Sequence, residues 1–125
     1  MLIAIAKAEP AAEEWTALLA RAREDGDLVA CDVVAAEFFA VLMDRVKFER
    51  TFVGLGLDFS PTSLESAQLA GRIFRDYRRS GGPRDHLVPD FLIGAHALQQ
   101  ADRIAAIDRG YLRRYFPRLE VVSPR

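Results

Sequence analysis

The stretch "PDFLIGAHAL" at residues 89–98 carries one acid, Asp90, at the start of a segment that is otherwise apolar or small up to His96. Its composition predicts a helix with proline in the first turn. A buried carboxylate costs free energy unless it is paired, hydrogen-bonded or bound to a metal. Asp90 therefore needs either a structural reason, such as the positive end of its helix, or a chemical one.

The bulk composition predicts one soluble domain. The chain has 125 residues, of which 50% are hydrophobic and 28% charged, so we expect a single domain over residues 1–125. No apolar run approaches the roughly 18 residues of a membrane span. The only cysteine, Cys31, excludes an internal disulfide and fits a reducing cytoplasm. Within "LVACDVV" it is expected to be a small core residue.

Around the opening stretch, short apolar segments alternate with amphipathic ones. The predicted strands are "DLVAC", "LDFSP", "RIAAI" and "LEVVS", and helices are predicted between them, with Ser63 as the cap of one. This alternation indicates an α/β fold whose parallel sheet is covered on both faces. In such sheets, ligands bind outside the carboxyl ends of the strands. Acids that follow strands are therefore candidate site residues.

Two further acids stand in positions that resemble that of Asp90. Glu37 has apolar residues on both neighbouring helical turns, so we expect it on an apolar face, where an ion pair with an arginine is the ordinary alternative. Asp108 directly follows the strand "RIAAI", although it also suits a turn before Arg109. Two carboxylates about 4 Å apart repel by roughly 4 kcal/mol at an effective dielectric of 20, so a cluster of acids requires a proton or a cation. Oxygen ligands without nearby Cys or His favour Mg²⁺ or Mn²⁺.

Charge is unevenly distributed along the chain. Residues 1–50 carry six basic and ten acidic groups, whereas residues 51–125 carry eleven basic groups, all arginines, and eight acidic ones. Arginine binds phosphate oxygens with two parallel hydrogen bonds, although a solvated surface is the ordinary reading of such a pattern. Three arginines are the candidates for binding phosphate groups: Arg84, Arg109 and Arg113. Asp85, in the same loop as Arg84, is read as a loop residue.

The segments "VVAAEFFAVL", "PDFLIGAHAL" and "AIDRGYLRRYFP" resemble the downstream motifs of PIN-domain ribonucleases, most of all the toxins of type II toxin–antitoxin pairs. The resemblance follows the motif order over nearly the whole chain. It implies a three-layer α/β/α fold with a central parallel sheet. It also implies Mg²⁺- or Mn²⁺-dependent hydrolysis of RNA, with Glu37, Asp90 and Asp108 as catalytic and metal-site acids. A small antitoxin partner and a homodimer are implied as well.

The sequence departs from the family pattern at two places. Ala106 stands where the family usually has a hydroxyl residue, two places before the last acid. The family also begins with a strand that ends in an aspartate. Either that strand lies upstream of Met1, or "MLIAIA" is itself the first strand and lacks the acid. These departures support an alternative function, a catalytically impaired PIN-fold binding module.

Overall fold

The computed structural model describes residues 1–82, 86–108 and 110–124, and these form two compact units. The first unit comprises Met1–Pro61 and the residues after Val122, and the second comprises Thr62–Val122. The elements in chain order are α1 (Leu2–Ala6), α2 (Ala12–Asp25), β1 (Leu28–Ala30), α3 (Asp32–Leu42), α4 (Arg45–Leu55), β2 (Leu57–Phe59), α5 (Leu64–Arg79), α6 (Val88–Gln100), β3 (Arg103–Ala105), α7 (Tyr111–Tyr115) and β4 (Glu120–Val122).

The predicted α/β class with parallel strands is confirmed. In the first unit β1 pairs with β2, and in the second β3 pairs with β4; both pairs are parallel. All four strands lie inside the segments that the sequence predicted. Among the described residues, no helix has both the length and the apolar composition that crossing a membrane requires.

Of the two alternatives for the first strand, the one in which "MLIAIA" forms it is wrong, because Leu2–Ala6 forms α1. Leu2 is buried, and α1 packs against α2, α3 and α4. A short apolar run fits a buried helical turn as well as a strand, so the pattern alone could not separate the two.

Helix ends in both units follow local chemistry. The Asp44 side chain accepts a hydrogen bond from the Lys47 N–H at the start of α4, and Ser63 Oγ accepts one from the Ser66 N–H at the start of α5. These bonds satisfy backbone donors that have no partner within the helix. At the end of α4, Gly56 has a φ of 70°, which glycine adopts without steric cost.

The core of the second unit surrounds α6. Phe91, Ala95, Leu112 and Phe116 are almost completely buried there. Cys31, in the first unit, is also buried, as the sequence predicted. His96, on α6, is 4% exposed and therefore also buried.

Gly94 permits a close contact between α6 and Phe116 in the core of the second unit. A Cβ atom at this position would lie 2.5 Å from the Phe116 ring, nearer than real Cβ atoms come to other atoms. The ring of Phe116 is 1% exposed, so it has little space into which it could move. The sequence at residue 94 therefore fixes how closely α6 approaches Phe116.

We predict that Gly94→Ala lowers the free energy of unfolding by about 1–3 kcal/mol, because overpacking outweighs the gain in helix propensity. Gly71→Ala is the matched control, since a Cβ at Gly71, inside α5, would meet nothing within 4 Å. The control should be stabilised by roughly 0.5–1 kcal/mol. Urea unfolding of both variants measures this, and equal effects would contradict the assigned packing.

Candidate active site

Asp90 lies in the first turn of α6 and closes the start of that helix. Its Oδ2 atom accepts a hydrogen bond from the Leu87 N–H at 3.1 Å. A carboxylate is favourable here because the helix N-terminus carries unpaired N–H groups and a partial positive charge. The side chain is 36% exposed, so it stands at the edge of the core. The structural reason for an acid at this position is therefore present, and it leaves the carboxylate accessible.

Asp108 organises the start of α7 in a similar way. Its Oδ1 accepts hydrogen bonds from the N–H groups of Gly110 at 2.8 Å and Leu112 at 3.1 Å, and its Oδ2 accepts one from Arg113 at 2.9 Å. A carboxylate has about four acceptor positions, and these three bonds hold its plane fixed. Among the described residues, Oδ2 accepts one hydrogen bond and keeps the capacity to bind a cation. Asp108 is thus a turn residue, as the sequence allowed, and its Oδ2 is a candidate metal ligand.

His86 and Tyr111 connect the two helix starts that carry these acids. The His86 Nδ1 lies 3.5 Å from the Asp90 Oδ2. The His86 ring lies against the Tyr111 ring, with centroids 4.3 Å apart and planes 30° apart. The ring of Tyr111, the first residue of α7, also contacts the ring of Phe91 of α6, with centroids 5.9 Å apart. The start of α6 is therefore next to the start of α7, and each presents one carboxylate.

Sequence reasoning gave His86 no role. The only signal was its spacing of four residues before Asp90, which is common and carries little information alone. Its contact with Tyr111 joins distant parts of the chain, so no local pattern could reveal it. His86 is the residue near the candidate site that the sequence prediction missed.

Glu37 belongs to the first unit, on α3. It is exposed, and among its apolar neighbours Val33 and Val34 are half-buried whereas Ala40 and Val41 are exposed. The expected apolar surroundings are present, but they do not bury the carboxylate. Its convergence with Asp90 and Asp108 stays a prediction.

Of the predicted RNA-binding arginines, the structure describes Arg113, which is exposed on α7. Arg84 and Arg109 lie outside the described residues, as does Asp85. Arg113 follows Tyr111 on α7 and gives its backbone N–H to Asp108. Its side chain therefore starts close to the candidate acids.

The donors at this site suit a magnesium-type ion. Within each unit, the described residues form no group of three or more His, Cys, Asp or Glu side chains that could hold a metal. Mg²⁺ retains several waters and commonly uses one or two carboxylates together with substrate phosphates. Asp90 and Asp108 supply such oxygens. Cys31 does not suit a metal or a nucleophilic role, because burial raises the pKa of its thiol and keeps it protonated.

The chain belongs to the PIN domain family, whose family model matches residues 1–117. PIN domains are generally metal-dependent nucleases, and membership in the family indicates a nuclease function for this chain. Neither the curated proteins nor the solved structures contain a significant match to it.

We predict that Asp108→Ala lowers the free energy of unfolding by about 1–2 kcal/mol, because three backbone N–H groups lose their acceptor. Asp102→Ala is the matched control, since Asp102 is an exposed acid in the turn between α6 and β3. It should stay within about 0.5 kcal/mol of the parent protein. Chemical denaturation provides the comparison, and an unaffected Asp108→Ala would show that the carboxylate does not stabilise α7.

Proposed function

We propose that this protein is a metal-dependent endoribonuclease that hydrolyses RNA phosphodiester bonds, with Mg²⁺ or Mn²⁺ as its cofactor. Asp90, Asp108 and Glu37 are its catalytic and metal-site acids. The observation that carries the proposal is the packing of the α6 and α7 starts in a PIN domain, which places Asp90 and Asp108 on neighbouring helix ends.

The hydrogen bonds of Asp90 and Asp108 define what each carboxylate contributes. The Leu87 N–H holds one oxygen of Asp90, and backbone N–H groups hold both oxygens of Asp108. Carboxylates fixed in this way do not need to reorganise when a cation and a phosphate arrive, which favours catalysis. A bound divalent ion supplies an activated water and neutralises charge on the phosphate. The acids place that ion and keep the site negative enough to hold it.

The charge of the second unit supports RNA as the substrate. Its residues 62–122 include ten arginines and seven acids, a net charge of +3. Such an excess attracts the phosphate backbone, and Arg84, Arg109 and Arg113 are the proposed RNA contacts. Arg113 is the best supported of these because it follows the Asp108 turn and is exposed.

We further propose that the protein is the toxin of a toxin–antitoxin pair: a single PIN domain in the cytoplasm that forms a homodimer and binds a small antitoxin. The motif resemblance supports this assignment. Exposed apolar side chains on the first unit agree with a protein partner, because exposed apolar surface is typical of interaction sites. These are Val41 at 57%, Met43 at 72%, Val46 at 63% and Val53 at 81% exposure.

A second candidate function is a PIN-fold binding module without catalysis. Ala106 favours it, since this half-buried residue offers no hydroxyl to orient a carboxylate or a water. Its backbone N–H donates to Val122 O in the β3–β4 pair, so the position serves the sheet. Cleavage assays with the purified protein separate the two functions.

We predict that the protein cleaves RNA only with Mg²⁺ or Mn²⁺ and that Asp90→Asn lowers the cleavage rate by about a hundredfold or more. The amide oxygen can still accept the hydrogen bond from the Leu87 N–H, so the fold should remain. The negative charge of the carboxylate, which would bind the ion, is lost. Asp102→Asn, the same change in the turn that follows α6, is the matched control and should cleave at the parent rate. Metal-independent cleavage, or full activity in Asp90→Asn, would contradict the assignment; no cleavage by any preparation would favour the binding module.

We predict that Arg113→Ala weakens RNA binding and reduces the slope of log Kd against log salt by about one unit, because one phosphate contact is lost. Binding is measured at several salt concentrations in the Asp90→Asn background, which prevents cleavage. Arg72→Ala, at an exposed position on α5, is the control and should keep the slope. Equal slopes in the Asp90→Asn protein and in its Arg113→Ala and Arg72→Ala derivatives would show that Arg113 contacts no phosphate.

A further inference from the structure

The two oxygens of Asp90 have different surroundings. Oδ2 accepts the hydrogen bond from Leu87 and faces the His86 Nδ1 at 3.5 Å. Among the described residues, no hydrogen bond is made to Oδ1. Within the described part of the chain, Oδ2 is thus held by two groups, whereas Oδ1 accepts no hydrogen bond.

The His86 ring is held by aromatic neighbours from two other helices. The Tyr111 ring of α7 lies against it, with ring centroids 4.3 Å apart. The Tyr77 ring of α5 has its centroid 6.1 Å away, with the two ring planes at 66°. Tyr77 is 3% exposed, so the aromatic ring that α5 contributes to this contact belongs to the core. The His86 side chain itself is 24% exposed. Its imidazole therefore has a defined place beside Asp90 and is not a freely moving surface group.

We propose that His86 is a positioning residue for Asp90: its Nδ1–H directs Oδ2 so that Oδ1 faces the divalent cation. The inference rests on the proposed metal site. With a proton on Nδ1, the His86 imidazole is a donor toward the Asp90 Oδ2, which lies 3.5 Å away. Groups that orient a ligating carboxylate commonly change metal affinity or activity by 10- to 100-fold when removed.

Three substitutions separate the donor from the ring. His86→Phe keeps a ring for Tyr111 and removes the donor. His86→Asn removes the ring and keeps an N–H donor near the place of Nδ1, whereas His86→Gln carries its donor farther out, near the place of Nε2. The Asn and Gln variants therefore decide the matter even where the Phe variant is poorly folded.

The first readout is Mn²⁺ affinity without RNA, measured by electron paramagnetic resonance titration of the folded proteins. We expect His86→Phe and His86→Gln to bind Mn²⁺ about tenfold more weakly than the parent protein and His86→Asn to stay within about threefold. Parent-like affinity in His86→Phe would overturn the proposal. An Asn variant as weak as the Gln variant would also overturn it, because the ring and not the donor would then matter.

RNA cleavage by the same variants distinguishes this inference from the proposed function. A positioning role predicts a lower kcat in His86→Phe at nearly unchanged KM for RNA. If Asp90→Asn abolishes cleavage while all three His86 variants match the parent protein, the inference fails and the ribonuclease stands. If Mn²⁺ binding depends on Asp90 and His86 but RNA stays intact, the ribonuclease fails and the inference stands. Absence of Mn²⁺ binding in the parent protein would overturn both.

Discussion

The packing of Tyr111 between Phe91 and His86 is the interaction on which the candidate site depends. Phe91 is completely buried, so it anchors the start of α6 in the core of the second unit. The Tyr111 ring contacts Phe91 and so brings the start of α7 beside it. The same ring also contacts the His86 ring. Without these ring contacts, Asp90 and Asp108 would sit on two unrelated helix ends. The site is thus a consequence of aromatic packing between α6 and α7.

The structural and chemical roles of the two acids support each other. A carboxylate that accepts backbone N–H bonds at a helix start is held in one orientation. A fixed orientation is useful to a metal ligand. The same side chains, Asp90 and Asp108, therefore cap helix starts and form the candidate cation site. We expect substitutions at these acids to change stability as well as activity, so conservative amide variants are needed to separate the effects.

Much of the fold was predictable because its signals are local. The four strands follow short apolar runs, and Ser63 caps α5 as its residue type indicates. The alternative in which "MLIAIA" is a strand was wrong because a brief apolar run has no period that distinguishes a strand from a helix. The exposure of Glu37 depends on what α3 packs against, which the order of its residues does not state.

The candidate site was only partly predictable. Asp90 and Asp108 stood out because each interrupts or follows an apolar segment. The three backbone donors to Asp108 require a turn through Gly110, whose φ is 111°, and only the folded chain shows it. The contact of His86 with Tyr111 joins two helices and depends on tertiary packing, so sequence spacing could not reveal it.

The central proposal is that Asp90 and Asp108 share a divalent cation. A crystal structure of the protein grown with Mn²⁺, with anomalous diffraction data, tests it most directly. We predict one strong anomalous peak about 2.2 Å from an oxygen of Asp90 and within about 5 Å of the Asp108 carboxylate, close enough for direct or water-mediated contact. Saturating Mn²⁺ that leaves either carboxylate without a neighbouring peak would contradict the proposal.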